Sequence, residues 1–317
     1  LLVMALALAP TLLLFLASAA HERRAGVEQA LDSARSTANL VADQQGAVVS
    51  ATGQLLTFVT SLMDRPVTNT QGCDVALARL ITGTNEYLGL SISDADGRIR
   101  CSAPRLPGTA ALNTADRPFF RHAVSARRFA IGGFQKGRLT GRPALTFGAP
   151  VIDRTGQITA VVGAGVDLLA LNERLTAIDL PDDVEVFVAD EDGIVLARHP
   201  NPDAWIGRPI TDTALLDTIR RSLEGTADLT DARGDVRWHA FTVVGRPASA
   251  MGALYVDVSY PQRALFAAAD DRLRRSLFTL LAGALVALGL AWSSTSLLIT
   301  HRTRRLTDTA RRIAARD

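Results

Sequence analysis

The chain is expected to fold as an α+β protein: one long N-terminal helix followed by two tandem copies of a small module, each an antiparallel sheet of about five strands with helices laid on one face. Three observations lead there. The first is an internal echo. Asp94-Ala95-Asp96-Gly97, followed by Pro104, returns 96 positions later as Asp190-Glu191-Asp192-Gly193, followed by Pro200. The second is what flanks each copy: short apolar runs at 88–92 and Ile99, then at 184–188 and 194–196. A Gly after Asp supplies the positive φ of a tight turn, so each copy reads as strand, turn, strand. The third is the stretch 22–63, free of proline, where Val27, Leu31, Ala34, Ala38, Val41, Val48, Leu55, Val59 and Leu62 recur at three-and-four spacing. That is the pattern of an amphipathic helix. The modules also end alike, with Gly165-Val166-Asp167-Leu168 in the first and Tyr255-Val256-Asp257-Val258 in the second. A repeat this long fits a duplicated domain, since solenoid periods are about 20–50 residues.

The elements follow in order. Residues 1–20 carry no charge and are long enough for a membrane-crossing helix, which takes about 20 residues. Ala17-Ser18-Ala19 also resembles a signal-peptide cleavage site, but such an apolar core is usually only about 7–15 residues, so a retained anchor fits better. The stalk helix, 21–63, ends at Asp64-Arg65-Pro66. It is too long for one small module to cover, so it either pairs with a second copy of itself or lies along both modules.

The first module, 64–168, takes a helix near 74–80, the hairpin 88–102, a short helix opening across 113–120, and strands at 129–134, 144–152 and 158–166. The second, 169–260, begins with a linking helix near 168–178. It repeats the plan with strands near 184–189, 194–198, 226–230, 236–244 and 252–259, and a helix at 213–223. After Pro261 a helix covers 261–300, and its apolar part, 277–300, is long enough for a second span. Arg302, Arg304, Arg305, Arg311, Arg312 and Arg316 follow it, which places the C-terminal side in the cytoplasm and residues of about 21–276 outside.

Composition narrows the function. The net charge is +2, Lys136 is the only lysine, and no basic block interleaves with aromatics outside the membrane flanks, so a nucleic-acid partner is not expected. Cys73 and Cys101 both fall in the first module. They are either two separate buried thiols or a disulfide, and an even count in a segment placed outside the membrane favours the bridge. Catalytic patterns are missing. The Asp-x-Asp-Gly turns resemble the opening of a calcium loop but have no Glu at its twelfth position. Gly163-Ala164-Gly165 has no third glycine for a dinucleotide, and His122, His199 and His239 have no metal spacing. No cofactor, no metal and no catalytic group are expected within these residues.

Taken as an ensemble, Asp96-Gly97 with Cys101, Asp116-Arg117-Pro118-Phe119-Phe120, Thr140-Gly141-Arg142-Pro143, Gly163-Ala164-Gly165-Val166-Asp167 and Asp190-Glu191-Asp192-Gly193 through Arg198-His199-Pro200 resemble the double Cache (dCache) domain. That domain is a tandem PAS-like sensor of bacterial membrane receptors, and the resemblance covers about 22–272. The tail 301–317 resembles the first helix of a HAMP linker, with Leu306, Ala310 and Ile313 on its seam, though without the proline usual before that leucine.

The resemblance implies a receptor of the bacterial inner membrane with two spans, dimeric through its stalk. It would sense a small molecule in the membrane-distal first module and relay it through the second span. The output lying past the tail would be a histidine kinase or a diguanylate cyclase, with a chemoreceptor next. In amino-acid-binding members an arginine and aromatics hold the ligand carboxylate and an aspartate holds its ammonium. Arg117, Phe119, Phe120 and Asp167 match those positions, and Phe134 falls near the place of a downstream tyrosine. Here the family's tryptophan and tyrosine are both Phe, which removes hydroxyl and indole donors and favours a small carboxylate or a more apolar ligand over an α-amino acid. Other uses stay open: Arg117 as a helix cap or surface ion-pair partner, Asp167 as a helix cap, and a turn of Lys136, Arg138 and Arg142 that either meets an anion or, the reading its charge favours, is a solvated hairpin. The whole chain could instead be a membrane-anchored scaffold or adhesion protein that uses the modules for protein contacts.

Overall fold

A computed structural model describes residues 2–63, 70–105, 112–138, 140–178, 180, 183–230, 234–244 and 252–262, with parts of 274–293; described side chains begin at residue 26. The chain divides into two compact units. One is Val27–Ala264, and the other joins Leu1–Gly26 to Leu265–Asp317. In the latter, the backbone is helical at 2–26, and Leu277, Phe278, Leu281, Leu285 and Val286 are exposed. Among the described residues no helix is long and apolar enough to cross a membrane. The runs 1–20 and 277–300, expected to span, fall on residues whose side chains lie wholly or largely outside those described, as does the HAMP-like tail 301–317.

The larger unit holds most of helix α1 (Leu2–Ser61) and two five-stranded antiparallel sheets. The first sheet comes from β1 (Tyr87–Asp94), β2 (Ile99–Ala103), β3 (Ala130–Lys136), β4 (Pro143–Ile152) and β5 (Ile158–Asp167). Helices α2 (Thr70–Ile81) and α3 (Pro118–Ala126) accompany it. Helix α4 (Leu168–Thr176) leads to the second sheet: β6 (Glu185–Asp190), β7 (Val195–His199), β8 (Gly225–Thr230), β9 (Val236–Val244) and β10 (Leu254–Pro261). Helices α5 (Pro202–Trp205) and α6 (Thr213–Ser222) lie within that second half. The strand orders are β2-β1-β5-β4-β3 and β7-β6-β10-β9-β8, the same order in both sheets, so the duplication extends to topology.

Each Asp-x-Asp-Gly turn is built the same way. The Asp94 carboxylate accepts from the amides of Asp96 and Arg98, at 3.1 and 2.9 Å, and Gly97 takes φ +82°. In the second copy Asp190 accepts from Ile194 at 2.8 Å and Gly193 takes φ +81°. These side chains stand in for backbone acceptors while glycine takes the left-handed corner.

The stalk lies along both modules, one of the two arrangements its pattern allowed. Ala34, Ala38, Val41, Val48, Leu56 and Val59 are buried in one core with residues of both sheets. Arg35 reaches Thr226 of β8, whereas Thr52 meets the Tyr87 hydroxyl of β1 at 3.2 Å. The bridge favoured for Cys73 and Cys101 is present, with Cα atoms 5.9 Å apart. It fastens α2 to β2, and the Asp74 carboxylate accepts from Ser102 N–H beside it, at 2.8 Å.

Strand register corrects one reading of the repeat. Asp94 pairs with Ala160 as Asp190 pairs with Leu254, and Ser91 pairs with Gly163 as Phe187 pairs with Asp257. Asp257 is therefore the counterpart of Gly163, not of Asp167, whose counterpart is Pro261. The short motifs matched by letter, but the hydrogen-bond ladder sets equivalence, and it differs by four residues.

Candidate functional site

A cavity of about 130 Å³ lies between the first sheet and the start of α3. Beside it, glycines on three neighbouring strands, Gly132, Gly148 and Gly163, lie under Phe119. An added Cβ at Gly148 would stand 2.5 Å from the Phe119 carbonyl oxygen, and one at Gly163 would stand 2.7 Å from the Phe119 ring. At Gly132 it would meet the Phe119 backbone. The bare row lets the first turn of α3 rest directly on the sheet. That seat fixes Arg117, the residue before Pro118, over the cavity.

Arg117 occupies the N-cap position of α3 with extended backbone and makes no side-chain capping bond. Its guanidinium has no ion-pair partner among the described residues. Partial burial lowers its pKa from the usual arginine value, Arg138 nearby adds to that, and Asp116 only partly opposes it. Arg138 lines the same cavity and is held by the Asp116 carboxylate and the Asn113 carbonyl. That hydrogen bond holds the Asp116 carboxyl below the usual aspartate value. Lys136 completes a set of three cations around the space. Among the described residues that line it, no carboxylate appears. Leu88, Ile99, Leu112 and Phe119 supply apolar wall. Gln135, 8% exposed, faces the cavity with a buried amide nitrogen that has no hydrogen-bond partner among the described residues.

The residues expected to hold a ligand separate into two groups. Arg117 and Phe119 line the cavity together. Phe120 packs away from it with Ala123, Ala130 and Val161. Phe134 joins the two modules: its N–H donates to the Asp190 carboxylate at 2.8 Å, and its ring rests where a Cβ on Gly207 would approach within 2.6 Å. Asp167, 3% exposed, caps α4 through Leu169 N–H and pairs with Arg142. It stands two residues beyond the lining residue Gly165, on the same face of β5.

Lys136 and Arg138, for which the sequence favours a solvated hairpin over an anion contact, line the cavity, as does Gln135 beside Phe134. The turn at 136–142 reads as a solvated hairpin by charge alone. The signal that could have marked it is the isolation of Lys136 as the sole lysine, next to an arginine two positions on.

The family model for the Cache domain, in its double form dCache_1, matches residues 17–267. The chain therefore belongs to the double Cache family, the class of small-ligand sensor domain that membrane receptors carry on their extracytoplasmic side. The fold is similar to the extracellular domain of the putative histidine kinase rpHK1S-Z16, with TM-score 0.63 and 19% identity over 74% of this chain and 95% of that one. It is also similar to the ligand-binding domain of the Pseudomonas fluorescens chemoreceptor CtaA in complex with L-isoleucine, with TM-score 0.59, 20% identity, and coverage of 78% and 98%. A third is the ligand-binding domain of the Pseudomonas aeruginosa PAO1 amino-acid chemoreceptor PctB in complex with L-Arg, with TM-score 0.60, 18% identity, and coverage of 76% and 98%. In sequence, 144 residues are 28% identical to sporulation kinase D of Bacillus subtilis (strain 168). That stretch is 44% of this chain and 28% of the kinase, so the match spans well under half of that protein.

Proposed function

We propose that the first module is the sensing end of a membrane receptor and that its cavity takes a small monocarboxylate with a short apolar tail. One observation carries the reading: three cations, Arg117, Lys136 and Arg138, converge on a cavity whose described lining holds no carboxylate. Arg117 grips the ligand carboxylate through paired N–H donors, which its planar guanidinium presents ready-aligned. The unpaired Gln135 amide donates a further bond, and Phe119 with Leu88 and Leu112 covers the tail. An α-amino acid needs an acceptor for its ammonium group. The nearest candidate, Asp167, is engaged by Arg142 and by the first turn of α4, so it serves only if Arg142 swings away.

The remainder of the receptor follows as part of this reading. Residues 1–20 and 277–300 are its two spans, residues of about 21–276 lie outside the inner membrane, and 301–317 begins the relay to a histidine kinase or diguanylate cyclase. The stripe of α1 that faces the modules is filled by them. A homodimer therefore uses the exposed flank of the helix, where Leu40, Phe58 and Leu62 lie.

The test is calorimetric titration of the full chain with acetate, propionate, lactate, L-alanine and methylamine. Propionate or lactate should bind. Arg117→Ala should weaken that binding by roughly tenfold to a hundredfold, the value of a charge-assisted hydrogen bond, about 1.5–3 kcal/mol. Binding of methylamine in preference to the acids, or acid binding indifferent to Arg117→Ala, would discard this assignment.

A further inference from the structure

The second module has its own cavity, of about 340 Å³, roofed by the start of α6. Strand register places it where the first module has the cavity described above. On the register given earlier, Glu185, Phe187, Arg237, His239 and Ser259 take the places of Gly89, Ser91, Ala144, Thr146 and Gly165. Every one of these residues lines its own cavity. The duplication thus produced two cavities at one topological place. The small neutral residues of the first are replaced largely by charged ones in the second.

The acids there are already engaged. Glu185 accepts from Arg198 at 2.6 Å and faces Arg237 at 3.4 Å. Asp212 caps α6 by accepting from Leu215 N–H at 3.0 Å. Asp257, fully buried, takes Nδ1 of His239 at 3.0 Å. What stays unengaged is donor or potential donor. Thr213 and Ala214 head α6 with amides that have no acceptor among the described residues. His239, 6% exposed, faces the cavity with Nε2 unpartnered among them.

Its tautomer follows from its partner. An ionised Asp257 can only accept, so Nδ1 carries hydrogen, and a neutral ring turns a bare Nε2 lone pair to the cavity. Only the imidazolium offers Nε2–H. We propose that this cavity is a second ligand site, for a small carboxylate held by Nε2–H of a protonated His239 and by the first amides of α6, so that binding takes up one proton. That proton comes from solvent and adds to Nε2.

The surroundings favour the charged ring. Burial opposes it and Arg237 on β9 repels it, but Asp257 on β10 and Asp212 at the head of α6 outweigh both, so its pKa lies above the ordinary 6.5. Glu185 on β6 and Arg198 on β7 face the same space as a mutual pair. The sign is then fixed. The protonated form predominates below the free-state pKa, and affinity for an anion declines as pH rises through it.

The test uses the full chain carrying Arg117→Ala, which silences the first cavity. Acetate, succinate and orthophosphate are titrated calorimetrically in buffers of different ionisation enthalpy. Above the His239 pKa, acetate or succinate should bind with uptake approaching one proton, and affinity should drop about tenfold per pH unit. His239→Gln in the same background should abolish both binding and uptake. Histidine ¹⁵N spectra of the chain with His239 intact guard against a variant that misfolds: adding the acid should convert Nε2 from bare to protonated. Binding of either acid without proton uptake at a pH above the His239 pKa, binding unchanged by His239→Gln, or no binding of the two acids overturns the proposal. Binding of orthophosphate alone overturns its carboxylate class. Because the readout is a proton on His239, failure here leaves the Arg117 reading standing, and the reverse holds as well.

Discussion

Gln135 keeps a buried amide nitrogen without an acceptor among the described residues, facing the first cavity. An unsatisfied buried donor costs about 1–3 kcal/mol. Replacing it with leucine should therefore stabilise the free protein while removing a bond to the ligand. Gln135→Leu is expected to raise Tm by several degrees, at about 2–4 °C per kcal/mol for a domain of this size, and to weaken carboxylate binding. Scanning calorimetry and ligand titration on the same sample check both signs; a lower Tm with intact binding would mean the amide has a partner after all. Little of this was legible beforehand. Asp-x-Asp-Gly announces a turn because turn chemistry is local. By contrast, nothing local in Phe134-Gln135 says that one residue faces a cavity while the other gives its N–H to Asp190, 56 positions away.

At the scale of elements, α2 is the most weakly rooted helix of the first module. Among its residues only Leu77 is buried. The Cys73–Cys101 bridge and the Asp74 bond to Ser102 hold the remainder. Losing the bridge, which joins residues 28 positions apart, should cost about 3 kcal/mol in the chain-entropy account. Cys73→Ser with Cys101→Ser should lower Tm, with the fastest gain in amide exchange confined to α2 and β2. Exchange rising evenly over the chain would contradict this. Elements of this kind were readable from the sequence: the hairpin turns, the ten strands and the prolines that bound them all rest on short-range rules. The glycine row under Phe119 was not. Gly132, Gly148 and Gly163 become neighbours only when β3, β4 and β5 pair, and letter-matching likewise misplaced Asp257 against Asp167 by four residues.

For the whole molecule, Asp190 and Phe134 stand at the junction between the modules. Asp190 closes its own turn through Ile194 and accepts Phe134 N–H from the other module, while burial pushes its carboxyl above the usual aspartate range. The Phe134 ring fills the space left by Gly207, and Glu191 lies 4.0 Å from His122. Phe134→Ala should cost about 2 kcal/mol and loosen the two halves from each other. A calorimetric trace that melts in one transition should then resolve into two, and a single sharper transition would show the halves are joined elsewhere. Fold class was legible at this scale because duplication is written in the sequence. The pairing of the modules was not, because it depends on side chains that meet only in three dimensions.

Helix α1 touches the second module at Arg35 and the first at Thr52. An α-helix rises about 1.5 Å per residue, so these moorings lie about 25 Å apart on one unbroken rod. A rod keyed at two points has almost no slack along its axis, since shortening it means breaking hydrogen bonds. A shift of the Tyr87 strand that pulls on Thr52 would reach Arg35 nearly undiminished, whereas a side-chain relay over the same span would lose some at every contact. The stalk is thus a gauge of how far the two sheets stand apart, and its reading is taken in fractions of a helical turn.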